Sequence, residues 1–155
     1  MKQTQYLLLV ALSALFSLLV GCSKPTPAPS TEELIKKRWT ARTVTENGTT
    51  VYNSATTTST KPGYSQFLLD LSSGNTVTYR ASDGTTGGTV TTFTGTYTVS
   101  GNTLTLSNLT PQPTGTNGTI TFTIGTISET EVTLTRTTPD QKTGNSTNVY
   151  VLKNP

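Results

Sequence analysis

The stretch that most limits what this chain can become is Phe93 to Leu106, FTGTYTVSGNTLTL. Phe93, Gly95, Tyr97 and Val99 fall on one face, and Thr94, Thr96 and Thr98 on the other. Alternation of period two is what a half-buried β-strand requires. Ser100-Gly101-Asn102 breaks the pattern with residues that tolerate positive φ, and Leu104 and Leu106 resume it with Thr105 between them. The segment therefore reads as a β-hairpin.

The same grammar recurs along the chain. Phe67, Leu69 and Leu71 form one face, then Val77, Tyr79 and Ala81, then Ile120, Phe122 and Ile124, then Val132 and Leu134. Gly125 stands where a bulge would change the phase before Ile127. Trp39–Val44 and Thr50–Asn53 make an early strand pair around Glu46-Asn47-Gly48, and Ala55–Tyr64 reads as a Thr- and Ser-rich loop. The last strand, Thr147–Lys153, carries the continuous run Val149-Tyr150-Val151-Leu152, which hides its inward face. About a quarter of the residues are Thr, which suits the solvent side of a strand. The class is all-β: an antiparallel meander of about eight strands forming a barrel or a sandwich.

One short helix precedes the strands. Ser30-Thr31-Glu32-Glu33 is a capping-box sequence, and Glu32–Lys36 and Glu33–Lys37 are spaced as i,i+4 ion pairs on a two-turn helix. Lys36, Lys37, Arg38 and Arg42 form the densest basic cluster. It either faces anionic headgroups or is a solvated helix end.

The N-terminus concerns location. Tyr6 to Val20 is a nearly continuous apolar run after Lys2, too short for an ordinary membrane span, and Ser23-Lys24-Pro25 follows it closely. Residues 1–21 read as a secretory signal. Leu19-Val20-Gly21-Cys22 resembles the lipobox of bacterial lipoproteins, which implies cleavage before Cys22, lipidation of its sulfur and acylation of the new amine. Residues 22–30, with Pro at 25, 27 and 29, form a tether that would hold the domain roughly 25 Å from the bilayer at ~3.1 Å per residue. Residues 31–155 form the domain. The expected location is the envelope of a Gram-negative bacterium, at the outer membrane, with the anchor as membrane partner.

Composition narrows the functions. Cys22 is the only Cys, so no intramolecular disulfide forms. Loss of residues 1–21 removes one Lys and no acid, taking the net charge from +3 to +2, too small a balance to argue for nucleic acid. There is no His, which removes the commonest general base and metal ligand. Asp70, Asp83, Asp140, Glu129 and Glu131 are scattered over turns and strand faces, without an evident acid–base pair. We expect no enzyme, metal or cofactor, and a monomer. Asn108, Asn117 and Asn145 begin Asn-x-Ser/Thr triplets, which so Thr-rich a chain generates by chance.

From Leu34 to Leu152 the chain resembles the lipocalin-like lipoprotein domains of Gram-negative bacteria. The resemblance rests on the early Trp39 after a short helix and on the hairpin positions Gly95, Tyr97, Val99, Leu104 and Leu106. Lys37 stands where lipocalins usually have Gly before the Trp. The resemblance implies a barrel that takes a small apolar or amphipathic ligand in its mouth, with Trp39, Tyr79, Tyr97 and Arg136 as the candidate ligand residues. The rival reading is a packed β-domain that contacts another envelope component. The aromatic residues fill a small barrel's core in one case and line a cavity in the other. Arg136 shares the inward face of Val132 and Leu134 and therefore needs a rim position or a partner. The resemblance offers Trp39, across which a lipocalin arginine closes the barrel. The functional alternative is a ligand's acidic headgroup.

Overall fold

The computed structural model describes residues 27–81 and 89–155. The signal, Cys22, most of the tether, and Asp83 with the Gly84–Gly88 connection lie outside the described residues.

Helix α1 (Thr31–Ile35) is followed by nine strands: β1 (Arg38–Glu46), β2 (Thr49–Asn53), β3 (Leu68–Asp70), β4 (Thr76–Ala81), β5 (Thr91–Ser100), β6 (Thr103–Thr110), β7 (Ile120–Ile127), β8 (Glu131–Arg136) and β9 (Asn148–Lys153). Each pairs antiparallel with its neighbour from β3 to β9, and β1 pairs with both β3 and β9. The result is a closed eight-stranded barrel. Strand β2 is hydrogen-bonded to the second half of β1, beyond the stretch that β3 covers.

The strand phase follows the alternation. Phe67, Leu69, Leu71, Val77, Tyr79, Phe93, Tyr97, Leu104, Leu106, Ile120, Phe122, Val132 and Leu134 are all buried, and Val99 packs partly buried against them. The β7–β8 register shifts between Ile124 and Ile127, where Gly125 was expected to change phase. A second irregularity lies opposite Gly95. A Cβ there would come within 2.5 Å of the Ser107 carbonyl oxygen, so only glycine lets β6 bulge against β5.

The helix is shorter than expected. Ser30 and Glu33 form the reciprocal capping box, with the Ser30 N–H donating to Glu33 at 2.7 Å. Glu33 is thereby engaged and the helix ends at Ile35, so the expected Glu33–Lys37 pair does not form. Lys37 instead reaches across the sequence to Glu129. Glu32–Lys36 forms as expected, and Arg42 pairs with Glu131. Three of the four cluster cations are thus matched by carboxylates. That favours a solvated, locally neutralised surface over a headgroup patch, and such exposed pairs contribute only about 0–1 kcal/mol each.

The core sits inside the barrel as a connected group of seven rings. Phe67 stacks on Tyr150 at 5.0 Å and meets Tyr79 edge-on at 5.7 Å. Phe93 stacks on Tyr79, Phe122 contacts both Tyr79 and Tyr150, and Tyr64 and Tyr52 continue the group outward. Each such pair contributes roughly 0.5–1.5 kcal/mol beyond its area burial. Tyr64 comes from the segment read as a loose loop. It lies in the 3-10 turn Pro62–Gln66, and its hydroxyl donates to Glu46 at 2.7 Å while Lys61 pairs with the same carboxylate at 2.6 Å. Burial, with Tyr150 and Glu46 nearby, pushes the Tyr64 hydroxyl well above its ordinary range.

Candidate functional site

The barrel's two ends differ in kind. At one end α1 lies over short turns, and Trp39 is fully buried with its indole N–H donating to the Ile35 carbonyl at 2.9 Å. Tyr97 is beside it. Its hydroxyl donates to the Leu71 carbonyl at 3.1 Å, and it lines a cleft of about 180 Å³ with Glu32 and Lys36. The other end, the mouth, carries the longer loops 111–119 and 137–147.

Arg136 closes β8 at that mouth, buried as its phase predicts. Its partner, however, is not Trp39. Thr40 is level with Lys153, and Lys153 with Glu131. Arg136 lies five residues beyond Glu131, roughly 16 Å along β8 at ~3.3 Å per residue. The strand therefore carries the guanidinium to the opposite end from the indole. There Nη1 pairs with Asp140, a bond that ties the loop after β8 across the mouth.

Asp140 organises that loop. Its side chain accepts from the Lys142 N–H at 3.1 Å, and its carbonyl accepts from Thr143 and Asn145. Beneath lies fully buried Asn148, whose Oδ1 accepts from Ser146 Oγ at 2.5 Å and whose Nδ2 donates to the Tyr150 hydroxyl at 3.2 Å. Burial pushes the Tyr150 hydroxyl up to about 12, against the opposing pull of Arg136. Burial also holds Tyr79 well above its ordinary value.

These groups border a cavity of about 30 Å³ lined by Tyr79, Phe93, Ile120, Arg136, Asp140 and Lys142 among others. That is room for one or two waters or a single small headgroup, against the roughly 300–1,000 Å³ of a drug-sized ligand pocket. The ring-filled interior therefore acts as core. Of the four candidate ligand residues, Tyr79 and Arg136 meet at the mouth, while Trp39 and Tyr97 lie at the α1 end. Asp140 and Lys142 complete the mouth without a sequence signal beyond a Pro-Asp turn four residues after Arg136. A larger open groove, about 320 Å³, runs along the loop after β2, between Tyr52 and Ser59. Ser59 already bonds both the N–H and the carbonyl of Asn53 there.

The seven carboxylates among the described residues are each engaged by a cation, a hydroxyl or a backbone amide. Among the described residues no group of three or more acids or thiols is placed to hold a metal ion, and no helix is long and apolar enough to cross a membrane.

A closed antiparallel barrel with a helix over one end is a lipocalin-like architecture, and comparison with solved structures agrees. The chain is similar to a lipocalin-like protein from Bacteroides uniformis, with a TM-score of 0.50 and 14% identity over 77% of this chain and 96% of that one. An uncharacterized protein from Bacteroides eggerthii matches with a TM-score of 0.48 and 12% identity over 77% of this chain and 98% of that one. At these identities the likeness concerns the fold. No protein-family model matches the sequence, and no curated protein matches it.

Proposed function

We propose that this chain is a non-enzymatic, lipid-anchored protein of a Gram-negative envelope, held at the outer membrane through Cys22, whose barrel mouth holds the polar end of a small apolar or amphipathic molecule. The observation that carries this reading is the polarity of the barrel. The described chain enters through α1 at one end, and the loops around Arg136, Asp140 and Lys142 lie at the other. A tether ending at Ser30 turns the mouth away from the bilayer. With the interior filled by rings, only a headgroup enters, and the rest of the molecule lies across the loops. The filled interior also favours a second reading, in which the same mouth contacts another envelope component without any small molecule.

Two experiments test the proposal. Cys22→Ser should abolish incorporation of labelled palmitate and release the protein from the membrane fraction; unchanged labelling contradicts the anchor. Photo-crosslinkers at Thr114, in the mouth, and at Thr98, near α1, are then compared in cells. Adducts confined to Thr114 support the mouth. Adducts confined to Thr98 place binding at the wrong end.

A further inference from the structure

The groove after β2 is lined by one kind of chemistry. Tyr52, Asn53, Ser54, Thr57, Pro62 and Ser65 contribute to it, and Tyr52 is its only titratable member. It shares no lining residue with the mouth cavity. Tyr52 is 8% exposed, and burial alone raises its pKa, with no hydrogen-bonded neighbour acting on it, so it stays a neutral donor at pH 7. Among the described residues only the Arg136 Nε is both unpartnered and sealed from solvent, so the Tyr52 hydroxyl is reachable. A donor so nearly buried has lost most of its water shell, and a ligand acceptor would restore the missing bond. Beside it, Asn53 Oδ1 accepts from the Ala55 N–H at 3.0 Å, which leaves the Nδ2 donors without a partner among the described residues.

The frame around these groups is already fixed. The Asn53 N–H donates to Ser59 at 3.1 Å, its carbonyl accepts from the Thr56 N–H, and the Val51 carbonyl accepts from the Lys61 N–H at 3.0 Å. These bonds occupy the outward edge of β2, so an extended peptide has no free edge on which to add a strand. They also set the groove's shape before anything binds, which lowers the ordering cost of binding. With no ionised side chain in the lining, an ion gains nothing there. A neutral sugar matches it on both counts: its hydroxyls donate and accept, and its C–H face lies on a ring such as that of Pro62.

We infer that the groove after β2 is a saccharide site for one or two units of a neutral glycan. The volume of about 320 Å³ is at the small end of ligand pockets, roughly 300–1,000 Å³. The Tyr52 hydroxyl and the Asn53 amide bond the sugar's hydroxyls, and Ser54, Thr57 and Ser65 complete the polar rim. The site is separate from the mouth and stands whether or not the mouth binds anything.

The probes are the methyl glycosides of glucose, galactose, mannose and N-acetylglucosamine. Each is titrated into the full ¹⁵N-labelled chain in micelles of a sugar-free detergent, with glycerol at matched hydroxyl concentration as control. We expect at least one glycoside to shift the Ser54, Thr57 and Ser65 amide signals saturably, and glycerol to shift none. Tyr52→Phe keeps the ring and removes the donor, so it should weaken that binding about ten-fold, as loss of one hydrogen bond predicts. Thr57→Val and Ser65→Ala, both on exposed residues, should weaken it by smaller factors, and they decide the matter if Tyr52→Phe does not fold. No saturable shift with any of the four, an equal shift with glycerol, or undiminished binding in the variants overturns the assignment. Shifts confined to residues 111–119 and 137–147 overturn it too, because they move saccharide binding to the mouth.

Discussion

Phe122→Ala puts the filled barrel to a quantitative test. Phe122 is fully buried, with ring centroids 6.5 Å from Tyr79 and 6.1 Å from Tyr150. Losing the side chain's burial costs about 2 kcal/mol. The vacated space, on the order of 100 Å³ at ~24 cal/mol per Å³, adds about 2 kcal/mol more if the walls stay in place. The walls are four strands of a closed ring and two large aromatic side chains, so little collapse is expected. The sum is about 4 kcal/mol, a large part of a typical domain stability of 5–15 kcal/mol. Guanidinium unfolding followed by Trp39 fluorescence measures it, with Thr121→Ala as the control. Thr121 is its half-buried neighbour on the opposite face and should change stability by less than about 1 kcal/mol. The new cavity should also bind benzene, as dry aromatic-lined cavities do. A Phe122→Ala cost below about 1 kcal/mol would refute the reasoning, because it would mean that the interior was hollow before the ring was removed.

Three further outcomes follow from other parts of the molecule. Arg136→Leu strands a mostly buried Asp140 carboxylate and should cost about 3–5 kcal/mol by chemical denaturation, while native Trp39 emission stays fixed because the indole is at the far end. A shifted Trp39 spectrum would revive the Arg136–Trp39 closure. Gly95→Ala drives a Cβ into the Ser107 carbonyl and should destabilise the β5–β6 hairpin by about 1–3 kcal/mol; a neutral outcome would deny the close approach. Tyr150 has a folded pKa raised to about 12, so the stability it contributes is present below pH 10 and is lost as pH rises through 12. The two-unit shift corresponds to about 3 kcal/mol, and Tyr64 and Tyr79 act in the same direction. Denaturation midpoints that agree at about pH 9 and pH 11.5 would count against a buried, neutral Tyr150.

Strand phase was legible wherever one face alone was apolar. Between Phe93 and Leu106, and again from Ile120 to Leu134, the Thr residues mark the outward side so clearly that inward residues, the Gly125 irregularity and the burial of Arg136 all follow. The last strand was not legible in this way. Val149 and Val151 are half-buried on the outside of the barrel, so the run carries no period, and only the pairing with β1 and β8 turns Tyr150 and Leu152 inward. Tyr64 escaped because a 3-10 turn in a Thr- and Ser-rich segment has no apolar period, and its burial depends on Glu46 from β1. The partner of Arg136 escaped for a similar reason. Four-residue spacing brings Asp140 back to Arg136 through the fold of a loop, which neither strand nor helix periodicity describes. The Asn of each Asn-x-Ser/Thr triplet also has a backbone reason for its position: Asn47, Asn108, Asn117 and Asn145 all adopt positive φ, between 48° and 60°.

Native mass spectrometry of the protein purified from its own envelope tests the filled barrel most directly. The account predicts no apolar molecule enclosed in the barrel, so that any small molecule retained is held at the mouth or in the groove after β2 and leaves while the barrel is still folded. One apolar molecule retained per chain, and lost only when the barrel unfolds, would contradict it.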